Sequence, residues 1–300
     1  LGEVIRRPRN LGAAFQQINK KFMPITIHTA ADFEKMRAAG KLAAEILDFI
    51  APYVQPDVTT NELNNLCHDK IVAAGAIPAP LNYKGFPKSI CTSLNHVVCH
   101  GIPSDEILKK GDIVNIDVTV ILDGWHGDSS RMYFAGEPSI KAKRLCQVTY
   151  DSMMLGIEQV KPGVLLSNVG TAIQNHAEKH GFSVVRDFCG HGIGRIFHTE
   201  PSVLHYFEKG REVILEEGMF FTIEPMINEG NYKTKFYQAN KEAPDQKAEK
   251  LKAEWVATTT DFTAGKKSLS AQFEHTVGVT RDGVEIFTGS PKGWDFPPYK

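Results

Sequence analysis

From Ile113 to Leu122 the chain alternates with a period of two. Val114, Ile116, Val118 and Val120 fall on one side, and Asn115, Asp117 and Thr119 on the other. This pattern predicts a strand with one face for a core and a polar face for another use. Asp123-Gly124 follows, a dipeptide suited to the positive φ angles of a two-residue hairpin turn. A turn centred there sets Thr119 opposite Asp128 and Asp117 opposite Ser130. Asp117 and Asp128 then become diagonal neighbours on one face, with Cβ atoms roughly 7 Å apart or less. Carboxylates so close repel each other unless a positive group such as a divalent metal lies between them. The alternative is an ordinary polar face on an exposed hairpin.

Helical spacing dominates elsewhere. Thr29-x-x-Asp32 caps a predicted helix whose apolar positions are Phe33, Met36, Ala43, Ile46, Leu47 and Ile50, ending at Pro52. Thr59-x-x-Glu62 opens a second helix running to about Ala74, before Gly75. Another long helix is predicted within Ser139–Val160, and a shorter one from Ser167 to His180, before Gly181.

The pattern then repeats. Val54, Pro56, Val58, Leu63 and Gly75 recur 106 residues on (54 to 160) as Val160, Pro162, Val164, Val169 and Gly181. LKKGDIVNID (Leu108–Asp117) recurs 107 residues on (108 to 215) as LEEGMFFTIE (Leu215–Glu224), which sets Glu224 on Asp117. A duplicated helix–helix–strand–strand unit follows, its two halves related by a pseudo-twofold axis, with their polar faces meeting at a central antiparallel sheet. The fold class is α/β (α+β). One domain is expected over 29–290, with repeats at about 29–136 and 137–290 and a tail at 291–300. Glu274 lies in LSAQFEHTVGV, a period-2 strand leading to a turn at Asp282-Gly283. Asp117, Asp128, Glu224 and Glu274 are therefore candidates for one pocket. The polar, charge-dense stretch 231–254 reads as a solvated surface insertion with a short charged helix after Pro244.

Composition narrows the classes. The 300 residues are 42% hydrophobic and 23% charged, as in globular domains, and the net charge of −1 gives no global argument for DNA or a membrane surface. No apolar run is long enough to span a bilayer. The five cysteines include no CxxC pair, which argues against a zinc finger or a disulfide framework and for reduced, intracellular thiols. Residues 1–28 form a basic arm, with Arg6, Arg7, Arg9, Lys20 and Lys21 against Glu3. A loosely packed arm is the plain reading, and the end of a transit peptide or an RNA contact are the alternatives. His191 sits between glycines in CGHGIG (Cys189–Gly194), without the spacing of a phosphate loop. In a chain already offering four convergent acids it reads as a fifth ligand. Two Asp, two Glu and one His suit a pair of hard or borderline divalent ions and argue against a closed thiolate zinc site.

NIDVTVILDGWHGDSS, CGHGIGRIFHTEPSVLHY, TIEPMIN, SAQFEHT and VVCHGIP together resemble the signature segments of type 1 methionine aminopeptidases. The likeness runs from about Ile25 to about Phe287. It implies the pita-bread fold, in agreement with the duplication, and an enzyme removing amino-terminal methionine from nascent chains. The cysteine-rich zinc-binding extension of some eukaryotic members has no counterpart here. Carried over by position, the metal ligands are Asp117, Asp128, His191, Glu224 and Glu274, with Asp128 and Glu274 bridging two divalent ions (Co, Mn, Fe or Zn). His100 and His198 match the catalytic histidines, and Glu224 is the proton shuttle. The methionine pocket falls on Tyr83, Phe86, Cys91, Phe197 and Trp255. A monovalent cation (Na or K) falls near Asn95, Val97 and Ser270. The implied protein is a cytoplasmic monomer, or an organellar one if the basic arm is a transit remnant. Its partners are nascent amino termini and the ribosome.

Each assignment has a plainer rival. His100 and His198 are also consistent with packed histidines beside Gly or Pro turns, and an aromatic stripe near a glycine loop is more often core. His96, His126, His205 and His275 lie in or beside the motifs and receive at most a supporting role. A hydrolase of Xaa-Pro bonds is the competing enzyme. Such relatives carry an extra domain ahead of the catalytic one, whereas here the first repeat begins at about residue 30. A non-catalytic relative ranks last, because all five ligand positions are filled.

Overall fold

The computed structural model describes residues 24–210 and 213–299. Residues 1–23 of the expected basic arm lie outside them. Both predicted capping boxes form: the Asp32 carboxylate accepts from the Thr29 amide at 2.8 Å, and the Glu62 carboxylate from the Thr59 amide at 2.7 Å. They start α1 (Ala30–Ile50) and α2 (Thr60–Ala73). Next come β1 (Ile77–Pro78), β2 (Cys91–Leu94), β3 (Val97–Cys99), β4 (Asp112–Leu122) and β5 (Trp125–Ala135). The strands β4 and β5 pair in the expected register, Asp117 with Ser130 and Thr119 with Asp128. The turn is Asp123 at φ +51° and Gly124 at φ +80°.

The second half contains α3 (Ile140–Ile157), α4 (Ser167–Lys179), β6 (Ser183–Val184), β7 (Gly190–Gly192), β8 (Thr199–Val203), β9 (Phe220–Ile223) and β10 (Met226–Asn228). Then follow β11 (Thr234–Phe236), α5 (Gln246–Trp255), β12 (Ala257–Thr259), β13 (Phe262–Thr263), β14 (Lys266–Lys267), β15 (Ser270–Gln272), β16 (His275–Val279) and β17 (Val284–Ile286).

The duplication extends to individual hydrogen bonds. The Leu108 amide donates to the Val58 carbonyl at 2.9 Å, and the Leu215 amide to the Val164 carbonyl at 2.8 Å. Isolated bridges join Thr59 to Ile107 and Leu165 to Ile214. Ile77 pairs with Ile121 as Ser183 pairs with Asn228. Gly75 and Gly181 end their helices at φ +74° and +80°. Each half has its own core. Leu47, Leu63, Val114, Ile116 and Val118 fill the first, and Leu145, Ile173, Phe221, Ile223 and Val277 the second.

Two expectations need amending. The second half does not copy the long strand β4. Pro225 interrupts it, giving β9 and β10 with Glu224-Pro225 between them. Proline has no N–H for the ladder, so the opposing strand also breaks, between β15 and β16 at Phe273-Glu274. The predicted uninterrupted strand in LSAQFEHTVGV is therefore two. Nor is the centre one continuous sheet. Separate antiparallel sheets meet at a Ser130–Glu274 bridge, where the Glu274 amide donates to the Ser130 carbonyl at 2.9 Å. The 231–254 stretch does contain a helix after Pro244, namely α5, but it also supplies β11, which pairs with β12 and through it with β3. Among the described residues no helix is long and apolar enough to cross a membrane.

The last residues are anchored. The Tyr299 hydroxyl donates to the Met132 carbonyl at 2.7 Å. Arg131, on β5, reaches Asp48 of α1 at 2.6 Å and the Trp294 carbonyl at 3.1 Å, with the Arg131 and Asp48 side chains only 2% and 4% exposed. Removing one member of such a pair strands the other charge. Asp48→Ala is expected to lower unfolding stability by about 3–5 kcal/mol, measured by urea denaturation. A loss under about 1 kcal/mol, the range of an exposed pair, would refute this account.

Candidate metal centre

Five side chains from both halves converge. Asp117 and Asp128 project from β4 and β5, Glu224 and Glu274 sit at the two strand breaks, and His191 is carried by β7. Oxygen or nitrogen atoms of Asp128, His191 and Glu274 lie within 4.8 Å of one another. The Nε2 of His191 is 3.7 Å from Asp128 Oδ2 and 3.6 Å from Glu224 Oε1. Asp117 completes the group electrostatically, its charge raising the pKa values of Asp128, Glu224 and Glu274.

The glycines flanking His191 have a steric purpose. A Cβ on Gly190 would lie 2.3 Å from the Thr222 carbonyl oxygen, and one on Gly192 would lie 2.0 Å from that of Glu200. Only bare backbone lets β7 press this closely on its neighbours. The His191 Nδ1 then lies 3.1 Å from the Gly192 carbonyl. A carbonyl only accepts, so Nδ1 carries the proton and Nε2 presents a lone pair to two carboxylates.

Other residues hold the acids in place. Thr119 donates to Asp128 at 2.7 Å, Thr222 to Glu224 at 2.8 Å, and Gln272 to Glu224 at 3.3 Å. The Glu224 amide donates to His205 Nε2 at 3.1 Å. Thr222 and Gln272 were not singled out from the sequence. The cue was available for Thr222, which lies two residues before Glu224 in the same period-2 segment. Of the remaining histidines, His126 stacks on Phe197 at 5.3 Å, His275 meets Thr288 at 2.9 Å, and His96 lies near Lys267 and Lys235.

Electrostatics decide what this arrangement tolerates. Burial raises Asp117 to about 7. Burial first and neighbouring carboxylates second push Asp128, Glu224 and Glu274 well above their ordinary values. Burial lowers His191 to about 4, so its imidazole is neutral at pH 7. Four acids and one lone pair therefore face each other, with no cationic side chain of the described residues between them. Only protons or metal ions can balance the cluster, and the oxygen-rich set with one nitrogen fits divalent cations.

The pocket residues gather beside it in two groups. Tyr83, Phe197 and His198 form one: the Tyr83 hydroxyl is 3.0 Å from His198 Nδ1, and the Phe197 and His198 rings are 4.0 Å apart. His198 lies 4.2 Å from the His191 ring. The other contains Phe86, Trp255 and His100. Trp255, at the end of α5, sits edge-on to Phe86 at 5.2 Å and 6.1 Å from His100. Phe188, absent from the sequence-derived set, meets the His100 ring at 5.6 Å. Cys91 lies opposite Asp117 in the ladder. At the expected monovalent site, the Asn95 carbonyl accepts from the Ser270 amide at 2.8 Å and Val97 pairs with Thr258. The Ser270 hydroxyl is buried without a partner. A cavity of about 810 Å³ lies elsewhere, lined by Tyr133, Phe134, Phe296 and Tyr299 among others, and none of the five converging side chains lines it.

Fold and site together define a metal-dependent peptidase. Residues 34–281 match the model of metallopeptidase family M24, and the chain belongs to that family. Within it, the chain groups with the methionine aminopeptidases. It is 65% identical over 277 residues to the methionine aminopeptidase of Rickettsia prowazekii, covering 92% of this chain and all of that relative. The crystal structure of the Rickettsia prowazekii enzyme superposes with a TM-score of 0.80 at 64% identity, covering 88% of this chain and 100% of that one. That of the Thermotoga maritima methionine aminopeptidase gives 0.79 at 34% identity, covering 88% and 99%. The pita-bread architecture implied by the resemblance is thus shown.

A pH dependence follows for metal-free protein. Asp117 rises from 3.8 to about 7 on folding. Below pH 3.8 folding is undisturbed by it, and stability falls as pH climbs towards 7, because the unfolded chain ionises first. Buried histidines with lowered pKa values act oppositely, so the contribution of Asp117 is read against Asp117→Asn: chelator-treated wild-type protein should lose melting temperature relative to that variant across the window. A difference between the two that does not change with pH there would contradict the burial argument.

Proposed function

We propose that this chain removes the amino-terminal methionine from nascent polypeptides, using two divalent cations held by Asp117, Asp128, His191, Glu224 and Glu274. One observation carries this reading: four carboxyl groups and the neutral His191 imidazole, largely removed from water, converge with no lysine or arginine of the described residues among them. The names of the M24 relatives support the substrate. Two bound divalent ions would supply a reactive nucleophile at neutral pH and stabilise the charge developing on the carbonyl oxygen.

The chain's own residues do the rest. Glu224, steadied by Thr222 and Gln272, takes a proton on a carboxylate oxygen and passes it to the leaving amine. His198 donates from its ring to the substrate carbonyl, and His100 binds beside the scissile amide. Tyr83, Phe86, Cys91, Phe197 and Trp255 form the apolar slot for the methionine side chain, whose soft thioether favours aromatic and sulfur contact. A free amino terminus can bind a cation directly and an internal peptide nitrogen cannot, which confines cleavage to the first residue. The orphaned Ser270 hydroxyl beside the Asn95 carbonyl supports a monovalent cation near Asn95, Val97 and Ser270.

Asp117→Asn should lose tightly bound metal and reduce release of methionine from a Met-Ala-initiated peptide by more than about 100-fold. That exceeds the ~10–100-fold typical of groups that only support a ligand. Circular dichroism should show it folded. Wild-type-like turnover in a folded variant, or wild-type protein that binds metal yet releases no methionine, would overturn the assignment. Trp255→Ala should lower kcat/KM on the same peptide by about 10–100-fold while leaving metal content unchanged. Depleted metal in that variant would remove Trp255 from the substrate slot.

A further inference from the structure

His100 is held in an unusual way. Its backbone adopts φ +56°, a left-handed conformation that a non-glycine residue keeps only when its surroundings impose it. Gly101 follows, where a Cβ would lie 2.0 Å from the Thr92 carbonyl oxygen, so the chain is pinned just after the histidine. The ring stands nearly perpendicular to Phe188 at 87° and to Trp255 at 85°. Its Nδ1 is 3.7 Å from the Sγ of Cys99. Cys99 is 3% exposed and lies on β3, whose partner β12 follows directly from Trp255.

Deepening the reading above, we propose that Cys99 is a positioning residue: its thiol proton is donated to His100 Nδ1, so that His100 carries its own proton on Nε2. A neutral imidazole has one donor and one acceptor nitrogen, and fixing Nδ1 as acceptor makes Nε2 the donor. His100 therefore offers a hydrogen bond to an oxygen of the substrate rather than accepting one from an amide N–H.

Burial supports both protonation states. It keeps the Cys99 thiol well above its ordinary value and lowers His100 to about 4, so the pair is thiol and neutral imidazole at pH 7. His198 is arranged alike. Its Nδ1 lies 3.0 Å from the hydroxyl of Tyr83, a group burial keeps protonated. Two histidines on separate strand ends thus each have Nδ1 engaged by a protonated side chain of the first half. Where the Tyr83 hydroxyl donates, His198 too keeps its proton on Nε2.

The test uses ¹⁵N-histidine-labelled protein reconstituted with zinc, which is diamagnetic, and long-range ¹H–¹⁵N correlation to read each tautomer. Wild-type and Cys99→Ser proteins should show His100 with a protonated Nε2 and a bare Nδ1. Cys99→Ala should show a mixed or reversed tautomer, with His275 resonances unchanged as a check on folding. Its kcat on a Met-Ala-initiated peptide should fall about 10-fold, with KM within about twofold of wild type, and Cys99→Ser should recover most of the loss. A proton on Nδ1 in the wild type, or a tautomer unaltered by Cys99→Ala, would overturn the proposal. Absence of methionine release from a wild-type protein with the Nε2–H tautomer would instead overturn the functional reading alone.

Discussion

Four largely buried carboxylates that repel one another are the constraint around which this structure is built. Removing even one ionised carboxylate from water costs several kcal/mol after relaxation, and here neighbouring acids add to the penalty. Among the described residues no lysine or arginine answers them. The threonines and glutamine nearby soften the problem without cancelling it, since hydrogen bonds from Thr119, Thr222 and Gln272 reach only Asp128 and Glu224. Two apolar cores pack on either side of this arrangement. The strain is tolerated for what the site can bind.

Duplication is the economical route to such a cluster. One hairpin presents two acids on one face, and a second copy, turned about, presents two more. The halves diverge where the chemistry needs it. In the first, β4 runs unbroken through Asp117. In the second, Pro225 stops the ladder and frees the backbone around Glu224, and the facing strand opens at Glu274 to bond with Ser130 of the other half. The proline that spoils the symmetry is thus also what allows the halves to join at the centre.

The insertion between two signature segments of the second half is bound into the same frame. Its strand β11 continues through β12 to β3, and its helix α5 ends on Trp255, against Phe86. The Glu249 carboxylate, 6% exposed, accepts from the Asn240 amide at 2.6 Å and ties the helix to the loop before it. A stretch that reads as solvated surface therefore also forms one wall of the candidate pocket.

Local patterns settled much of this in advance. Period two and Asp-Gly imply the hairpin and its register, because a turn with both central φ angles positive leaves one way to pair Asp117 and Asp128. The capping boxes at Thr29 and Thr59 and the glycines at 75 and 181 bound the helices, since these signals act within a few residues. The repeat implied that acids from both halves would meet. Tertiary structure alone decided the rest: that the central sheet is divided, that Trp255 arrives on the insertion helix beside His100, and that Phe188 and Gln272 join the site. Those facts depend on contacts between residues distant in the chain, and no local propensity encodes which side chains long-range packing brings together.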